Sequence, residues 1–195
     1  MTPSKNLRFR LVRPDDSTEI SRIYAPFVED TYVSFEEVAP NPTVIEEHIL
    51  ELSGRYPWLV AEFEECVLGY AYASPHRNRA CYRWSVDTSI YLDERIRGQG
   101  IGKQLYRTLL DIVERQGFYN AYGGITLPNP ASLALHESRG FTRVGVYNKV
   151  GYKLGCWHSV QWLELSLRDH TTSVTEPIVL SELPDIDALL TGNRL

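Results

Sequence analysis

Asp87-Thr88-Ser89-Ile90-Tyr91-Leu92 runs through Asp93-Glu94-Arg95-Ile96 into Arg97-Gly98-Gln99-Gly100-Ile101-Gly102-Lys103. The first six residues read as a strand. Residues 100–116 follow as an amphipathic helix, with Ile101, Leu105, Leu109, Ile112 and Val113 on one face and Gly117 as the stop signal. Between them lies a glycine loop that opens the helix. Glycines remove Cβ atoms and let backbone N–H groups approach an anion closely. The helix N-terminus adds partial positive charge at the same point, and Arg95, Arg97 and Lys103 add full charges. In physical terms this is a pyrophosphate cradle. It is not a P-loop, which needs Gly at position 97 and Ser or Thr at position 104, where Arg97 and Gln104 stand. It is not the dinucleotide fingerprint either, because Lys103 occupies the third glycine position. A glycine-rich turn without a ligand has the same local sequence, so the context decides.

Working outward, residues 7–12 alternate apolar and basic, as a half-buried strand does. Pro14-Asp15-Asp16-Ser17 offers N-cap chemistry for a helix carrying Ile20, Ile23, Tyr24, Phe27 and Val28. Thr43 with Glu46 forms a capping-box pattern for a second helix, closed by Gly54. Residues 58–63, 67–74 and 82–92 read as three strands. Residues 122–127 form a short strand, residues 130–138 a short helix, and residues 141–150 and 157–167 the last two strands. The order βααβββαβαββ is mixed α/β within one domain. After Arg168 the composition shifts to Thr, Ser, Pro and acids, read as a tail with a weak helical turn near residues 186–190.

The 195 residues suit one domain with a full core, and the formal net charge is −5. That sum argues against nucleic acid as a partner. Its distribution matters more. Residues 1–65 carry 6 basic and 13 acidic side chains, residues 66–168 carry 13 and 7, and residues 169–195 carry 1 and 5. The basic middle holds the cradle and suits a small anionic ligand. Cys66, Cys81 and Cys156 are too scattered for a disulfide framework or a zinc site, which fits a reducing compartment. Apolar runs such as 67–73 are too short to span a bilayer, and residues 1–6 carry no signal-peptide core. The expectation is a cytoplasmic protein with no membrane partner and no metal.

Arg97-x-x-Gly100-x-Gly102 between a long strand and a long helix resembles the acetyl-CoA loop of the GNAT N-acetyltransferase superfamily. The resemblance extends over residues 7–167. Arg55-Tyr56-Pro57-Trp58-Leu59-Val60-Ala61-Glu62, Gly69-Tyr70-Ala71-Tyr72-Ala73 and Gly151-Tyr152-Lys153-x-Gly155-x-Trp157-His158 point to its phosphinothricin and methionine sulfone acetyltransferase branch. It implies an α/β fold of the α+β kind, a mostly antiparallel sheet of about seven strands flanked by about four helices. It implies a catalytic domain over 1–168, an acidic tail over 169–195, and acetyl-CoA as co-substrate. By resemblance, Arg97, Gly98, Gln99, Gly100, Ile101, Gly102 and Lys103 hold the coenzyme pyrophosphate. The backbone of Ile90, Tyr91 and Leu92 pairs with the pantetheine arm, Asn129 contacts that arm or the thioester region, and Ser132 starts a helix beside it.

Acetyl transfer to an amine needs a base for the amine proton and an acid for the leaving thiolate. Asp87 stands where the branch usually carries a Glu base. It is one methylene shorter, which leaves direct abstraction and relay through water both open. His136 occupies the position of the acid, where many superfamily members have Tyr. In Pro75-His76-Arg77-Asn78-Arg79-x-x-Tyr82, Arg79 is the best carboxylate clamp, with Arg77 and Tyr82 assisting. Phe35 lies where the branch places acceptor-side residues. The implied partners are a small-molecule amine acceptor and a second copy of the chain in a homodimer. Two other readings stay open at this level: a GNAT enzyme acting on a protein N-terminus or another amine, and a non-catalytic coenzyme A sensor.

Overall fold

The computed structural model describes residues 7–191. The expectations for residues 1–6, and for 192–195 of the tail, lie outside the described residues. Seven strands form one sheet: β1 (Leu7–Leu11), β2 (Trp58–Phe63), β3 (Cys66–Pro75), β4 (Ser85–Leu92), β5 (Asn120–Thr126), β6 (Thr142–Lys153) and β7 (Cys156–Ser166). The spatial order is β1-β2-β3-β4-β5-β7-β6. Every neighbouring pair is antiparallel except β4–β5. The helices are α1 (Ser17–Glu29), α2 (Pro42–Leu52), α3 (Ile101–Gln116), α4 (Pro130–Glu137) and α5 (Ile186–Thr191). Fold class and the order of strands and helices along the chain agree with the sequence reading.

Helices cover both faces, giving two cores. Ile20 and Ile23 of α1 pack with Ile45, Ile49 and Leu52 of α2 over Trp58, Val60 and Tyr70 of the sheet. On the other face, Ile101, Leu105, Leu109, Ile112 and Val113 pack over Leu59, Ala71, Val86 and Ala121. That apolar stripe is the one visible in the sequence at 3.6-residue spacing, and burying it supplies most of the drive to dock α3. Side chains alternate across a strand. Val86, Thr88 and Ile90 of β4 therefore face α3, and Asp87, Ser89 and Tyr91 face α1 and α2.

Local details differ from the sequence reading. α2 is capped by Asn41, whose side chain accepts from Val44 N–H at 3.1 Å, rather than by Thr43 and Glu46. Pro42 explains the shift: it lacks an N–H and its fixed φ suits the first helical position. Residues 80–82 form a 3-10 turn, and the fourth strand begins at Ser85 instead of residue 82. β6 and β7 reach further toward each other, and the hairpin turns at Leu154 and Gly155.

The segment after Arg168 contacts the domain. Trp84 Nε1 donates to Thr175 O at 2.8 Å, and Arg83 Nε donates to Glu176 at 2.7 Å. Leu180 and Leu183 are buried in the α3-side core, with Ile186 and Leu189 of α5 packed beside them. The helical turn expected near residues 186–190 corresponds to α5.

Candidate active site

β4 and β5 pair only over residues 85–87 and 120–122. Where the ladder stops, Thr88 Oγ1 donates to the Tyr122 carbonyl at 3.0 Å and lies 2.7 Å from the Tyr106 hydroxyl. A side chain thus satisfies the carbonyl at the point of separation. Thr88 and Tyr106 are both buried, so this bridge sits in a low-dielectric core where unpaired polar atoms cost most. Burial also pushes the Tyr106 phenol well above its ordinary range, which keeps it protonated. Beyond Asp87, β4 keeps β3 as a neighbour through Leu92 and has no ladder with β5. The strand edge at Ile90, Tyr91 and Leu92 can therefore accept an extended arm that carries amides, as strand addition does.

That edge leads to the glycine loop. The Asp93 carboxylate receives Arg22 Nη1 at 2.7 Å, Arg95 Nε at 2.8 Å and the Arg95 backbone N–H at 3.0 Å. The Arg95 contacts hold it far below the usual carboxylate range. This network fixes the exit of β4 before the loop turns. Gly98 (φ 73°) and Gly100 (φ 80°) then adopt left-handed backbone, which glycine takes without penalty. Gly100 caps α3. The first-turn amides of Ile101, Gly102 and Lys103 have no intrahelical acceptors, so an anion can take them. Arg97 sits over the Phe27 ring at 4.9 Å and donates Nε to Leu92 O at 3.0 Å. Gln99 donates to Arg95 O at 2.8 Å. The structure thus brings residues 90–92 and 97–103 together along one edge of the gap.

On β5 and α4, the Asn129 side chain accepts from Ser132 N–H at 3.1 Å and caps α4. His136, 3% exposed, donates Nδ1–H to the Ser132 carbonyl at 2.8 Å. The carbonyl can only accept, so it selects the tautomer. In the neutral ring Nε2 is then an acceptor, and it is buried without a partner. Its edge lies against Gly123, where a Cβ would come within 2.7 Å of Nε2. Burial lowers the His136 pKa from its ordinary value.

Asp87 lies on the opposite face of the sheet from His136. Its Oδ1 is 2.6 Å from His76 Nδ1, a contact the sequence reading did not find. Burial pushes the Asp87 carboxyl up, opposed by His76 and Arg77. The His76 ring stacks on Tyr122 at 4.2 Å, with Tyr82 at 6.0 Å and Trp162 at 6.2 Å. Arg77, Arg79, Tyr82 and His76 line one open cavity of about 500 Å³. Arg77 donates to His76 O at 2.7 Å and lies 5.6 Å from the Trp162 ring. Phe35 stands apart with the β6–β7 hairpin, against Gly151 and 6.5 Å from His158. Lys153 joins that hairpin to α1 and the loop after it by donating to Val28 O and Ser34 O at 2.6 and 2.7 Å. Thr88, Tyr106, Tyr122 and Trp162 also went unnoticed in the sequence. The strand register, which sets Ser74 opposite Asp87, is the signal that could have brought His76 to it. Among the described residues, no group of three or more His, Cys, Asp or Glu could hold a metal ion. None of the described helices is long and apolar enough to cross a membrane.

Comparison with known proteins gives this site its class. Residues 20–141 match the acetyltransferase (GNAT) family. A phosphinothricin N-acetyltransferase of Streptomyces viridochromogenes is 37% identical over 161 residues, covering 82% of this chain and 88% of that protein. An L-methionine sulfoximine/L-methionine sulfone acetyltransferase of Salmonella typhimurium is 36% identical over 115 residues, covering 59% and 67%. The crystal structure of a phosphinothricin acetyltransferase from Sinorhizobium meliloti in complex with acetyl-CoA superposes with a TM-score of 0.84 at 34% identity, covering 94% and 98%. The chain belongs to the GNAT acetyltransferase family.

The His136 environment sets a pH dependence. The unfolded chain takes a proton on this ring near its ordinary value of 6.5, and the folded chain does so only at lower pH. Stability is therefore full above pH 6.5 and is lost as pH falls through the folded value, by up to about 1.4 kcal/mol per pH unit. His136→Gln is expected to shrink the fall in melting temperature between pH 7.5 and 5.5. Equal slopes in the two proteins would contradict a neutral, buried ring. His48, also lowered by burial, contributes a remaining slope in both.

Proposed function

We propose that this acetyl-CoA-dependent N-acetyltransferase acetylates the α-amine of a small amino-acid-like acceptor of the phosphinothricin, methionine sulfone or methionine sulfoximine type. The observation that carries the reading is the gap between β4 and β5, with an amide-rich glycine loop at one end and the half-buried Asp87 carboxylate at the other. The activities named for the similar proteins agree with it.

When bound, acetyl-CoA supplies an acyl group already activated as a thioester. In this reading the backbone of Ile90, Tyr91 and Leu92 holds the pantetheine arm as an added strand would. The amides of residues 97–103 and the charges of Arg97 and Lys103 hold the pyrophosphate. Asn129 and Ser132, at the start of α4, border the arm near the thioester. Asp87 assists removal of the amine proton from the α1–α2 face of the sheet. Its side chain is short, so the proton travels through an intermediary. Arg79 and Arg77 clamp the acceptor carboxylate, with Tyr82 beside them; Phe35, against the β6–β7 hairpin, stands outside that cavity. His136 stands on the far face, next to the gap, where the leaving sulfur needs a proton. As the tautomer stands, its Nε2 accepts, so a role as acid requires the ring to be charged first.

The protein acts as a homodimer in this proposal. Val150, Tyr152, Leu154 and Trp157 of the β6–β7 hairpin are 51–61% exposed, an apolar surface that a monomer rarely leaves open. Symmetry places the same hairpin on both partners of an isologous pair. Light scattering should return twice the 22.3 kDa chain mass for the wild type and the single mass for Trp157→Glu. A monomeric wild type would end the dimer proposal.

Release of free thiol from acetyl-CoA, measured against a panel of amino acids and peptide N-termini, tests the acceptor. Turnover is expected for small acceptors with a free amine and carboxylate, and Arg79→Met should raise their KM at least tenfold. Preference for peptides would overturn the acceptor assignment. Coenzyme binding without turnover on any amine would mark a sensor. Asp87→Ala is expected to lower kcat by about 100-fold, with partial recovery at high pH; unchanged kcat would remove Asp87 from the reaction.

A further inference from the structure

The intermediary that Asp87 needs is a side chain. We infer that His76 is the general base, and that Asp87 orients it. His76 Nδ1 is 2.6 Å from Asp87 Oδ1, within a loop on one strand's end and the middle of the neighbouring strand. The carboxylate accepts, so Nδ1–H donates, and in the neutral ring the lone pair sits on Nε2. Nε2 has no hydrogen-bond partner among the described residues. The ring belongs to the wall of the open cavity that also holds Arg77 and Arg79.

Packing fixes the ring about every axis that matters. Tyr122 lies flat against one face at 4.2 Å, and Tyr82 and Trp162 meet it edge-on. The Nδ1–Asp87 bond then sets rotation within the plane. An imidazole held by a carboxylate in this way is the arrangement used to activate amine, hydroxyl and thiol groups. The carboxylate selects the tautomer and stabilises the ring once it is charged. The arrangement also accounts for the residue at position 87. A Glu would reach the acceptor itself, and Asp leaves room for a ring between carboxylate and amine.

The groups facing His76 are Asp87 on β4, Tyr82 on the 3-10 turn, Tyr122 on β5 with Glu164 of β7 beside that phenol, and Arg77 on its own loop. The chemistry balances without another reactant. The amine nitrogen bonds to the acetyl carbon and the carbon–sulfur bond breaks with its electron pair on sulfur. One proton passes from nitrogen to His76 Nε2, sulfur takes one proton from water, and the hydroxide so formed takes the proton back from His76, which restores both the water and the neutral ring.

This inference rests on the acetyltransferase reading for its kinetic arm only. Long-range ¹H–¹⁵N NMR of the imidazoles in the free, full-length protein reads the tautomer directly, with His76→Asn supplying the assignment. The expected result is a proton on Nδ1 and none on Nε2 of His76 at neutral pH, and loss of that preference in Asp87→Asn. A proton on Nε2 would overturn the inference whatever the enzyme acetylates. In steady-state kinetics, His76→Asn keeps a donor for Asp87 and lacks a base. Its kcat/KM for the acceptor should fall about 100-fold or more, with the KM for acetyl-CoA within about threefold and the imidazole limb of the pH profile gone. A fall of less than tenfold with that limb intact would mean Asp87 works without the ring. No turnover by the wild type on any amine would sink the acetyltransferase reading, and the NMR result would still decide the pairing of His76 with Asp87.

Discussion

The parting of β4 and β5 after three paired residues is the constraint on which the site depends. Two parallel strands with matched hydrogen-bonding edges would be expected to stay paired. Here the Thr88 hydroxyl takes the Tyr122 carbonyl, and the Tyr106 phenol takes the remaining capacity of that hydroxyl. Both groups are buried, so their hydrogen bonds are expensive to lose. The sheet remains one sheet because β3 supports β4 and β7 supports β5 along their full outer edges. An opening through the middle of a sheet is tolerable only with such support on both sides.

That opening lies between Asp87 on one face of the sheet and His136 on the other. Strand alternation sends Thr88 and Ile90 toward α3, and Asp87 toward the side where the cavity lined by His76, Arg77 and Arg79 lies. On the α3 and α4 side stand buried His136 and the cap of α4. The glycine loop leaves β4 at its far end and turns into α3, so helix amides point back along the strand edge. The sequence charge near the loop is carried by Arg95, Arg97 and Lys103, and Asp93 neutralises the first of these to hold the turn.

Much of this was legible in the residues alone. The helix stripe of α3, the glycine loop and the order of elements follow from local periodicity and turn chemistry, which a sequence displays directly. The contact between His76 and Asp87 does not, because it spans a strand pairing and depends on register. Position 76 was visible only as a loop residue beside two arginines. Thr88 was hidden for another reason: in a strand it reads as an ordinary β-branched residue, and its role appears only when Tyr106 and Tyr122 arrive from α3 and β5. The cap of α2 was misread because Thr43 and Glu46 match a general pattern, while Asn41 and Pro42 satisfy the same needs two residues earlier. β6 runs on to Lys153, three residues past the expected end, with register shifts before Gly145 and Gly151 and the turn at Gly155.

If the gap is where the coenzyme arm lies, backbone amides there must change when it binds. Hydrogen–deuterium exchange of the full-length protein, with and without acetyl-CoA, measures this most directly. Amides of residues 88–92 and 98–103 are expected to gain protection, and residues 85–87, already paired on both sides, are expected to stay unchanged. Protection spread elsewhere with residues 88–92 untouched would contradict the account at its centre.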